Sequence, residues 1–139
     1  MLISDLLHAL EKFEENILEL ETKFKEDKEH RWFKNYIFMS EKIKDNVRNF
    51  LNPLIEEIKE IQTKYSEIYF SKDIKYHTET ALRHAQTIKD QLKELVIMYR
   101  DQAEYRQIKV QWEISFGPIT RKISDLRGRL LIIKRTLSQ

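Results

Sequence analysis

Four histidines and twenty-three carboxylates, with no cysteine, are the groups this 139-residue chain offers for acid–base or metal chemistry. His77 and His84 lie seven residues apart and share nearly one face of a helix; Glu26 and His30 form an i, i+4 pair, so each couple could supply two metal ligands. A carboxylate-bridged metal site in a helical bundle needs Glu-x-x-His on two helices, and that spacing does not occur. The histidines therefore read as surface or seam-edge residues, and neither a metal nor a cofactor is expected. Nucleophilic catalysis has less support: the chain has no Gly-x-Ser-x-Gly elbow and no phosphate-cradling glycine loop. Glu14-Glu15 and Glu56-Glu57 are adjacent in sequence, diverge around a helix and read as solvated faces. No catalytic residue is expected, and the protein reads as a non-enzyme.

Two windows carry more apolar surface than a single stripe can bury. In Arg31-Trp32-Phe33-Lys34-Asn35-Tyr36-Ile37-Phe38-Met39 the aromatic residues cannot all face one way, and Trp, Tyr, Arg and Met are enriched where proteins touch one another. Near the other end, Leu131 and Ile132 lie outside the main apolar stripe of their helix. Trp32, Phe33, Tyr36 and Phe38, followed by Leu131 and Ile132, are thus the expected interface, with homo-oligomerisation the expected use. A nucleic-acid-binding alternative rests on Arg100 and Arg106 beside Tyr99, Tyr105 and Trp112, and on Arg127, Arg129, Lys134 and Arg135 near the end of the chain. Against it, those bases are spread around the helical wheel and have an acidic helix as a simpler partner.

The elements that must carry these residues follow from composition and period. Two glycines and two prolines are too few for the turns of a sandwich, a barrel or a doubly wound sheet, and a 41% apolar fraction can build a core. Ile3, Leu6, Leu10, Phe13, Ile17, Leu20 and Phe24 recur at steps of three and four, the spacing of a coiled-coil-like seam, and predict a first helix over about residues 4–29. A second stripe through Ile43, Val47, Phe50, Leu54, Ile58 and Ile61 predicts a helix over about 31–70. Pro53 lies inside it; because the stripe keeps its phase across the proline, one long kinked helix is expected, with a break at Asn52 as the alternative. A third helix is expected over about 72–116, its stripe drifting after Tyr99 to Ala103, Val110 and Ile114. Phe116-Gly117-Pro118 is the clearest punctuation and predicts a fourth helix over about 118–138.

These ranges predict an all-α, up-and-down antiparallel four-helix bundle in a single domain spanning 1–139. Its inner helices would be much longer than its outer ones, so that residues 53–94 would project as a helical hairpin. Residues 1–29 carry nine acids and four bases, and residues 118–139 six bases and one acid, so the first and last helices should attract each other. No apolar run approaches the ~20 residues of a membrane span, and a cytoplasmic setting is expected. The sequence thus predicts a non-catalytic protein–protein interaction module.

Overall fold

The structure, a computed structural model, describes residues 3–26, 33–65 and 72–137, with side chains over 3–26, 37–64 and 74–137. Every described element is helical: α1 (Ile3–Glu26), α2 (Phe33–Asn46), a π-helical turn (Val47–Leu51), α3 (Asn52–Tyr65), α4 (Lys72–Arg100) and α5 (Tyr105–Leu137). In α1 the spaced apolar positions are the buried ones: Leu6, Leu10, Phe13, Ile17, Leu20 and Phe24. No helix among the described residues is long and apolar enough to cross a membrane.

α2, the π turn and α3 form one continuous rod, and Pro53 explains why the middle is π-helical. A proline ring clashes with the carbonyl four residues earlier and has no N–H to give it. The chain answers with a wide turn in which the Asn52 backbone N–H donates to the carbonyl of Val47, five residues back. The insertion shifts the buried stripe by one position. Burial runs Ile43, Asn46, then Leu51, Leu54, Ile55 and Ile58, and the step of five from Asn46 to Leu51 crosses the turn. Leu51 is therefore fully buried where the three–four pattern pointed to Phe50, which is only partly covered.

The boundary between the last two helices is not at Gly117-Pro118. α4 ends at Arg100 and α5 begins at Tyr105, while Pro118 lies inside α5. The turn uses neither glycine nor proline. Gln102 adopts a left-handed φ of 55°; its N–H donates to Tyr99 at 3.2 Å, and the N–H of Ala103 donates to Met98 at 2.9 Å. These are the two bonds of a Schellman cap, here with glutamine at the position glycine usually takes. Across the turn the Glu104 N–H is held by the Gln107 side chain at 3.3 Å, half of a capping box that opens α5. The reset changes the phase of the stripe: Ile108, Trp112 and Ser115 are buried, and Val110 and Ile114, expected in the seam, face outward. An aromatic clamp fixes the turn. Trp112 Nε1–H donates to Tyr99 Oη at 2.7 Å, and the Phe24 ring of α1 packs 5.9 Å from Trp112 and 5.3 Å from Tyr105.

With α5 starting thirteen residues earlier than expected, the helices become similar in length: α1, α4 and α5 have 24, 29 and 33 residues, or about 36, 44 and 50 Å. Contacts between elements order them as α1, the α2–α3 rod, α4, α5 and back to α1, each antiparallel to the next. Asn16 Nδ2 donates to Asn46 Oδ1 at 3.1 Å between α1 and the rod. His77 meets Arg129 and His84 meets Asp125 between α4 and α5. The expected 53–94 hairpin does not project: α3 lies against α4 and α1, and with the turn at Gln102 the second half of α5 comes alongside the first half of α4. The charge pairing between first and last helices occurs inside the chain, where Arg127 Nη2 lies 2.8 Å from Glu14 Oε1. One core runs the length of the bundle, from Leu6 and Ile133 to Tyr99 and Trp112.

Candidate functional site

His77 and His84 do share a face of α4, and that face meets α5. Asp125 Oδ2 accepts from Arg129 Nε at 2.6 Å and lies 2.9 Å from His84 Nε2. Arg129 Nη1 donates to His77 Nδ1 at 3.0 Å. A guanidinium has only donors, so Nδ1 presents its lone pair there. The same guanidinium stands 5.2 Å from the centroid of the exposed Tyr76 ring. Burial lowers the pKa of His84 below 6.5; the Asp125 carboxylate opposes this, while Arg129, Lys122 and Arg83 add to it. For Arg129, burial lowers the pKa, but the hydrogen bond and charge of Asp125, together with smaller contributions from Tyr76, outweigh it and the net direction is upward. The network's chemistry is that of a polar clasp between α4 and α5.

A second polar feature lies at the π turn. Asn46, almost fully buried, receives the Asn16 amide and points its own Nδ2 at the Phe13 carbonyl, 3.4 Å away. Beside it opens a cleft of about 260 Å³ whose lining includes Glu19, Lys23, Lys42 and Asp45. Its acids and bases are balanced, and Lys23 already pairs with Glu19 at 3.3 Å. Phe38 lies nearby, 5.0 Å from Lys23 Nζ and 5.5 Å from Lys42 Nζ, a surface aromatic between two cations.

Of the residues expected to form an interface, Trp32 lies outside the described residues, and Phe33 and Tyr36 are placed in α2 without described side chains. Phe38 is 40% exposed and its neighbour Ile37 52%. Leu131 and Ile132 are exposed at 41% and 39%. The structure adds two residues that periodicity had placed inside, Val110 at 47% and Ile114 at 60%. Their exposure was hidden because the turn at Gln102 carries no glycine or proline to announce it. Val110 also lines an open, largely apolar groove of about 540 Å³ with Ile97, Met98 and Ala103, flanked by Asp101 and Arg106.

The bases of the nucleic-acid reading are dispersed by the same correction. Arg127 is tied to Glu14, Arg129 to Asp125 and His77, and Arg100 to Asp101 at 3.1 Å. Arg106 stands near the first turn of α5, Lys134 and Arg135 at its far end, about 42 Å along the helix.

The fold is an all-α antiparallel four-helix bundle. No known protein family matches the chain, and no curated protein or solved structure matches it.

Proposed function

We propose that this protein is a non-catalytic helical interaction and assembly module of the cytoplasm that associates with itself. The observation that carries the reading is the outward face of α5, where Val110, Ile114, Leu131 and Ile132 all expose apolar side chains. Single exposed apolar residues are ordinary on a protein surface; two exposed apolar pairs on the solvent side of one helix are what supports a contact surface. Ile37 and Phe38 add a second exposed apolar pair on α2. The polar clasp at Asp125 supports the same reading, because its side chains bond one another across α4 and α5.

Sedimentation equilibrium at about 1–100 µM tests the proposal. A mass rising from 17.0 kDa toward twice that value is expected; a constant monomer mass throughout overturns it. The nucleic-acid reading has less support, since at least three of its six bases are held by carboxylates of the same chain. It predicts binding to DNA or RNA that weakens steeply with salt, as released counterions would require.

A further inference from the structure

The outward side of α5 reads as its own complement when reversed. Ile114 and Leu131, Gly117 and Gly128, and Arg121 and Ser124 are three pairs centred on one point, midway between Lys122 and Ile123. One step further out, Glu113 pairs with Ile132 and Val110 with Arg135 about the same centre. With Glu113 and Ile132 set aside, the positions from Val110 to Arg135 alternate at steps of four and three, so they lie along one line of the helix, opposite the buried line through Trp112, Ile119, Ile123 and Leu126. We propose that this line is the contact for a second copy of the chain, whose α5 lies antiparallel across it about a two-fold axis at residues 122–123. The inference rests on the self-association proposed above and names its surface and geometry.

Three observations select this occupant. First, an isologous contact requires a self-complementary patch. Here the antiparallel arrangement sets exposed Ile114 against Leu131 and Ile132 of the second copy at both ends. Second, the charges at the ends favour that direction: Glu113 comes near Arg135 of the second copy, whereas a parallel pairing would set Arg135 on Arg135.

Third, the glycines are explained. The chain has two, both on this line, and neither uses a positive φ. A Cβ at Gly128 would meet nothing within 4 Å, and one at Gly117 only the Arg121 side chain at 3.6 Å. Gly128 is therefore not required by the fold of one copy, whereas Gly117 precedes Pro118 inside α5, where a Cβ would crowd the proline ring. Opposed across a two-fold axis, Gly117 and Gly128 let the two backbones approach closely at the waist between the apolar ends.

The absence of cysteine makes the test direct. Protein carrying Ile114→Cys is mixed with protein carrying Leu131→Cys under mild oxidation, at concentrations where sedimentation reports association. A disulfide-linked heterodimer is expected from the mixture. Neither variant alone should cross-link, because positions 114 and 114 of the two copies would lie about 25 Å apart along the helix. In parallel, Gly128→Gln should weaken association at least tenfold while leaving the helical circular dichroism and the melting temperature of dilute protein undiminished.

If the chain dimerises but the mixture gives no heterodimer and Gly128→Gln is without effect, the seam is refuted and self-association through another surface stands. A chain that stays monomeric refutes both.

Discussion

The position of the α4–α5 turn is tested by a substitution whose effect changes sign with the answer. Gln102 has φ 55°, a left-handed conformation that costs a residue with a Cβ roughly 1–2 kcal/mol. Gln102→Gly relieves that strain. It also frees the unfolded chain, which offsets roughly 0.5–1 kcal/mol. The net expectation is a gain of about 0.5–1 kcal/mol, since no side-chain bond of Gln102 holds the turn and its two backbone bonds are unaffected. At about 2.1 cal/mol/K of unfolding entropy per residue, a chain of 139 residues converts this to a melting temperature higher by about 2–3 °C. Urea unfolding and thermal melting, both followed by circular dichroism at concentrations below any association, measure the two quantities. Were the third helix continuous through residue 102 and the turn at Gly117-Pro118, glycine at 102 would instead lower stability by about 0.5–1 kcal/mol. A loss for Gln102→Gly would refute the assigned turn.

Two further expectations concern the clamp and the clasp. Trp112→Phe removes the 2.7 Å bond to Tyr99 and part of the ring packed on Phe24, and should lower unfolding stability by about 2 kcal/mol. Tyr99→Phe combined with it should cost less than the two separate losses added together, and strict additivity would mean that the pair is not coupled. Because the folded chain holds the pKa of His84 below 6.5, the unfolded chain binds more protons in the interval beneath 6.5. Stability present above that pH is lost as pH falls toward the folded value. His84→Gln should therefore flatten the decline in stability between about pH 7.5 and 5.5. Equal declines in the two proteins would show that this imidazole is not the group responsible.

Much of the fold was legible because amphipathic helices write their buried face into their spacing. The seams of α1 and of the second half of α5, the run of the chain through Pro53 and the attraction between acidic α1 and the basic end of α5 are all readable from period and charge. The shared face of His77 and His84 was also readable, since residues seven apart nearly superpose on a helix. That they meet Arg129 and Asp125 was not, because it depends on which residues of another helix come alongside.

Gly117-Pro118 and Gln102 show where local punctuation misleads. Glycine and proline lower the cost of a turn but do not compel one. The break falls at Gln102, where the Phe24, Tyr99, Tyr105 and Trp112 cluster and the Met98 and Glu104 caps together offset a strained backbone residue. That choice set the length of α5, decided that Val110 and Ile114 face outward, and dispersed the basic residues along α5. By itself the sequence determined that the chain forms amphipathic helices and which stripe of most of them is buried, since that follows from 3.6-residue geometry. The tertiary structure alone decided where the last helix begins and hence which apolar residues are left outside. Only packing between distant segments weighs a strained turn against the burial it permits.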